Sequence, residues 1–111
     1  MQALVIILNQ MNFFEALLQE FNDKELYGGT IIDTQGLASA IAANCDGNTF
    51  GTLRMMLHGS RPFNKTIVML LEEDKVQVAI DCVKTVMGNL NEPNKGIIFT
   101  TPISFVDGLD D

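Results

Sequence analysis

The chain has 111 residues, 47% hydrophobic and 19% charged, with seven basic side chains against fourteen acidic ones and a formal charge of −7. That length closes one hydrophobic core but not two, and the apolar content excludes a disordered chain, so a single domain over residues 1–111 is expected. A pI near 4.4 sets the whole-molecule field against nucleic acid and anionic membrane, and any anionic ligand needs a local basic patch.

The first apolar run, ALVIIL at 3–8, is rich in β-branched residues and stopped by Asn9, which predicts a strand. It is far shorter than the ~18 residues of a membrane span and lacks the basic flank and cleavage site of a signal peptide, so a cytoplasmic protein without membrane insertion is expected. Asn12 and Glu15 have the spacing of a capping box, and Phe14, Leu17, Leu18 and Phe21 share one helical face, which predicts a helix over 13–21. Gly28 and Gly29 mark a turn or close approach before the TIIDT run at 30–34, a second strand. Residues 36–64 carry no strong strand, only small-residue and Met-rich pieces at 37–43 and 52–57 that suit a helical turn or two; a connection this long in a compact domain is usually functional or mobile.

The TIVMLL run at 66–71 predicts the third strand, and Glu72, Glu73 and Asp74 suit the positive end of a following helix. Val76, Ile80, Val83, Met87 and Leu90 then recur at spacings of four and three, with Cys82 beside the stripe and Gly88 near the helix end. After the turn at 91–94, residues 96–101 predict the fourth strand, with an extension past Pro102 over 103–106.

This β-α-β, long connection, β-α-β order predicts an α+β domain, the ferredoxin-like βαββαβ plait, with both helices on one face of the sheet. The first and third strands nevertheless read as continuous apolar runs, the pattern of strands covered on both faces. With no further helix long enough for the second face, symmetric self-association is the expected cover.

From Gly47 to Leu71 there is no acidic residue, while Arg54, Arg61 and Lys65 lie there with His58 between them. This is either a chance cluster on a solvated loop or the basic patch an anionic ligand needs. No P-loop, GxGxxG, GxSxG or HExxH pattern is present and no nucleophile is fixed near His58, so no enzyme is expected. Cys45 and Cys82 lack CxxC spacing and read as reduced structural thiols, Met55 and Met56 as loop packing, and Glu72–Asp74 as helix charge rather than a cation site; no metal site is assigned.

In length, element order and local sequence the chain resembles the PII nitrogen-regulatory signalling proteins and their PII-like relatives, most clearly in GTIIDTQG at 29–36 and along 65–99. The resemblance implies a homotrimer with inward-facing sheets, a flexible T-loop after the second strand, and a nucleotide or other small anionic metabolite held in clefts between subunits, with a partner protein engaged through the 36–64 loop. Carried over residue by residue, it matches Thr30 and Gly36 to the end of the second strand and the start of the T-loop, Lys65 to a lysine opening the third strand, and Gly96 to a glycine of the loop before the fourth. The glycine turns and the basic segment add to this, so the ligand site is expected between the Gly28-Gly29-Thr30 to Gly36 edge of one chain and the Lys95-Gly96 turn of another, with Lys65, Lys95, Arg54 and Arg61 as the sources of charge. The chain departs from the family in three places. Asn94-Lys95 replaces a Gly-Asp-Gly-Lys loop; acids at 107–111 stand where C-terminal arginines would lie; and the one tyrosine, Tyr27, precedes the loop. Ligand and cofactor identity stay open, and a CutA-type metal-responsive trimer or a ligand-free oligomerisation domain are the alternatives.

Overall fold

The computed structural model describes residues 1–44, 64–91 and 95–109. The elements run β1 (Gln2–Leu8), α1 (Met11–Asp23), β2 (Thr30–Asp33), α2 (Leu37–Asn44), β3 (Lys65–Leu71), α3 (Glu73–Met87) and β4 (Ile97–Pro102). The four strands form one antiparallel sheet in the order β2-β3-β1-β4. The result is a mixed α+β domain compatible with the ferredoxin-like arrangement expected from the sequence.

The register fixes two ends and two faces. Leu8 pairs with Lys65, Asp33 with Lys65, and Ile7 with Ile97, so these residues mark one end of the sheet; Gln2, opposite both Leu71 and Pro102, marks the other. Residues directly opposite one another project to the same face. On one face Leu4, Ile6, Leu8, Ile67, Met69 and Leu71 pack beneath α1 and α3, which supply Leu17, Phe21, Ala79, Cys82, Val83 and Met87 to a single buried core. On the other face lie Ala3, Val5 and Ile7 of β1, Thr66, Val68 and Leu70 of β3, Ile97, Phe99 and Thr101 of β4, and Thr30 and Ile32 of β2. None of these side chains is charged. Ile97 and Phe99 are 59% and 48% exposed in the single chain.

Helix boundaries follow backbone partners more than local motif. The Phe14 N–H donates to the Gln10 carbonyl at 3.3 Å, so α1 starts at Met11 and Gln10 takes the N-cap position with no side-chain cap bond. Asn12 is therefore inside the first turn and the expected capping box with Glu15 does not form. At the far end, the N–H groups of Glu25 and Leu26 donate to the carbonyls of Asn22 and Phe21 at 3.1 and 2.9 Å. Glu25 has φ of 57°. This is the Schellman geometry, with glutamate in the left-handed position that glycine normally fills. In α3 the acids behave as expected, Glu73 and Asp74 occupying its first turn.

β4 stops at Pro102 rather than continuing over 103–106: after one more ladder bond, from the Ile103 N–H to the Met1 carbonyl at 3.2 Å, the chain leaves the sheet without regular structure. The small-residue piece expected after Gly36 is helical as α2, while the Met-rich piece at 52–57 lies outside the described residues. No helix among the described residues is long and apolar enough to cross a membrane.

Candidate functional site

The residues singled out from the sequence gather mainly at the Leu8 end of the sheet. Lys65 opens β3 between Leu8 and Asp33. Its ammonium pairs with the Asp33 carboxylate and stands 6.0 Å from the centroid of the Phe14 ring. A cation over an aromatic face gains from the ring quadrupole, and the ion pair supplies the local counter-charge.

Beside it the two ends of the 36–64 connection are pinned together. The Thr34 N–H donates to the Asn64 carbonyl at 3.1 Å, the Thr34 hydroxyl donates to the Asn64 side-chain oxygen, and the Thr34 and Thr66 hydroxyls are 2.9 Å apart. Gly36 sits just past this clasp, its carbonyl accepting from the Ala40 N–H at 3.0 Å to start α2. The connection thus begins from a fixed neck of Thr34, Asn64 and Thr66.

Lys95 and Gly96 arrive at the same end ahead of β4. The Lys95 ammonium donates to the Met87 carbonyl at 2.6 Å, satisfying an orphan acceptor at the end of α3, and lies 5.7 Å from the Phe13 ring centroid. Gly96 has φ of 143°, and a Cβ there would fall 2.6 Å from the Ile7 carbonyl oxygen and 2.9 Å from Met87 Cε. Both requirements demand glycine: the backbone conformation and the closeness to β1.

Gly28, Gly29 and Thr30 lie elsewhere. They precede or open β2, and Thr30 pairs with Val68, which stands opposite Val5 at the middle of the sheet, so they lie further along β2 from the Leu8 end than Asp33 and Gly36. There they border an apolar groove of about 220 Å³ whose walls include Leu18, Phe21, Leu26, Tyr27, Ile31 and Met69. A Cβ on Gly29 would come within 3.2 Å of Met69 Cγ and of the Val68 carbonyl oxygen, whereas one on Gly28 would meet nothing within 4 Å.

Within one chain, then, Gly36, Lys65, Lys95 and Gly96 share an end and Gly28–Thr30 do not. Arg54 and Arg61, with His58, Met55, Met56, Cys45 and Asn94, lie outside the described residues. Cys82 is a free thiol, 2% exposed, and burial raises its pKa above the ordinary 9.0, Glu20 and Asp81 adding to the rise and Lys24 opposing it. Such a thiol is inert at neutral pH. No group of three or more His, Cys, Asp or Glu side chains that could hold a metal ion occurs among the described residues. The Thr34–Asn64–Thr66 neck and the Leu26–Tyr27 groove wall carry no sequence signal, because each depends on residues that only the fold brings together. Compared with models of known protein families the chain matches none, and no curated protein matches it significantly.

Proposed function

We propose that the chain is a PII-like regulatory protein: a homotrimeric ferredoxin-like plait that senses a small anionic metabolite or nucleotide at clefts between subunits. It signals to a partner protein through the T-loop-like connection 36–64. The observation that carries the reading is the uncharged sheet face. An apolar face of this extent is an aggregation hazard unless a second layer covers it, and copies of the same face supply that layer. The pinned neck supports the signalling half, since Thr34, Asn64 and Thr66 anchor the connection to β2 and β3 beside Lys65.

Strand levels support the cleft. In a cyclic assembly that sets the β2 edge of one copy beside the β4 edge of the next, Gly36 and Lys65 come level with Lys95 and Gly96 of the neighbour, because all four belong to the Leu8 end. Glycine backbone N–H groups and two ammoniums are the donors a phosphate or carboxylate requires. Lys95 would exchange its bond to the Met87 carbonyl for one to the ligand.

The test is light scattering for molar mass, followed by thermal unfolding with nucleotides and small organic acids in turn. A mass of three chains and a raised midpoint with one anion class are expected, since a ligand that binds only the native state must stabilise it. A stable monomer overturns the assembly, and a trimer that no anion stabilises overturns the sensing role.

A further inference from the structure

The Lys65 ammonium, a donor in the proposed cleft, is already held by the Asp33 carboxylate. The two residues stand directly opposite each other where the pairing of β2 with β3 ends. Their surroundings differ. The Asp33 side chain is 84% exposed, so water solvates its carboxylate whether the pair is closed or open. The Lys65 side chain is only 27% exposed and lies against the Phe14 ring, which keeps the ammonium in place when the pair opens. Nor does the sheet rely on this pair. One residue further on, the Thr34 N–H donates to the Asn64 carbonyl at 3.1 Å and the Thr34 hydroxyl meets Asn64 and Thr66, so β2 stays joined to β3 without it. An exposed ion pair of this kind adds little to stability. Its effect falls instead on an incoming anion, which must displace one carboxylate and then sit beside its charge.

We propose that Asp33 is a built-in competitor for the anion site, a specificity-determining residue that admits only anions able to span the cleft. An anion whose contacts end at Lys65 exchanges one negative partner of the ammonium for another and gains almost nothing. An anion long enough to reach Lys95 and Gly96 of the neighbouring copy meets the same opposition once, and adds charge-assisted hydrogen bonds that Asp33 does not contest. By weakening every anion alike, Asp33 leaves the site empty of phosphate, acetate or chloride and open to a chain of phosphates or another extended polyanion.

The test follows thermal unfolding of the full chain against inorganic phosphate and tripolyphosphate at constant ionic strength. Four proteins are compared: the parent, Asp33→Asn, Asp33→Asn with Lys65→Met, and Asp81→Asn, an exposed acid on α3 whose loss changes the net charge equally. Asp33→Asn is expected to lower the apparent dissociation constant of both anions about fivefold, the upper end for removal of an exposed ion pair. Lys65→Met is expected to abolish that gain, and Asp81→Asn to produce none. Unchanged or weaker binding by Asp33→Asn, an equal gain from Asp81→Asn, or a gain that survives Lys65→Met overturns the competitor. This inference rests on the proposed anion cleft, yet the two fail separately. If neither anion stabilises the parent or Asp33→Asn, the cleft itself is defeated and the competitor with it. A parent stabilised by tripolyphosphate, with no gain in Asp33→Asn, defeats only the role of Asp33.

Discussion

Gly96 and Gly28 were both singled out as ligand contacts, yet their backbones make opposite demands. Gly96→Ala must place a methyl group against the Ile7 carbonyl at a φ of 143°, so a loss of about 1 to 3 kcal/mol, the scale of imposed backbone strain, is expected in the urea midpoint. Gly28→Ala meets nothing and restricts the unfolded chain, so it should leave stability unchanged or raise it by up to about 1 kcal/mol. Any effect of Gly28→Ala on ligand binding then reports on the site and not on folding. Cys82 gives a pH signature. Burial raises its folded pKa above 9.0, so the folded chain keeps a proton that the unfolded chain releases. This contribution to stability is complete below the unfolded value and is lost as pH rises through the folded one. Stability should therefore fall more steeply above pH 9.0 in the parent than in Cys82→Ala, as read from urea midpoints across alkaline pH. Equal slopes would show that the thiol does not titrate differently on folding.

At the scale of elements, the end of α1 carries a correctable strain. Glu25 adopts φ of 57°, a region costing ~1 kcal/mol for a residue with a Cβ and little for glycine. Glu25→Gly should raise stability by about 1 kcal/mol if the Schellman bonds persist, read as a higher thermal midpoint; a lower midpoint would mean that the glutamate side chain contributes more than its backbone costs. That turn shows where the sequence was readable and where it was not. The strands were legible because β1 and β3 are short apolar runs with clear stops, and α3 because its apolar stripe and acidic first turn agree. The end of α1 was not, since no glycine marks it, and its start was misread because Asn12 and Glu15 matched a capping box while the backbone carbonyl of Gln10 had already taken the capping position. Lys95 is a similar case. As a ligand candidate it reads as a free charge, but the fold brings it onto the last carbonyl of α3, a contact set by the return of β4 beside β1. The Thr34–Asn64 clasp spans thirty positions, beyond the reach of any local pattern.

For the molecule as a whole, the decisive property is the asymmetry between the two faces of one sheet. The helix-covered face holds the core side chains, almost wholly removed from water, with the Lys65–Asp33 pair at one end, while the open face carries no charge at all but is only partly shielded. Phe99, opposite Val5 near the middle of the open face, is the position at which a charge should matter most. Phe99→Asp is expected to reduce the molar mass to that of one 12.2 kDa chain while leaving the circular dichroism of the folded domain, because the core beneath the helices is untouched. An isolated carboxylate buried in an apolar interface costs several kcal/mol, more than most interfaces of this kind can absorb. An unaltered mass would mean that copies meet elsewhere.

The strand order also has a consequence for biosynthesis. β1 is central in the sheet, with β3 on one side and β4 on the other, yet it is the first of the four strands to be made and its two neighbours are the last. While residues 9–64 are being added, a mostly apolar seven-residue strand waits with both of its eventual strand partners, β3 and β4, still to be made. β2, the next strand made, cannot relieve it, because it pairs with β3 and never with β1. Nascent chains stalled before Lys65 therefore present this apolar strand without either of its sheet partners, the kind of exposed edge that aggregates. Completion of β3 closes one edge, by zipping seven residues of β3 against all seven of β1, and the other edge waits for β4, the last strand made.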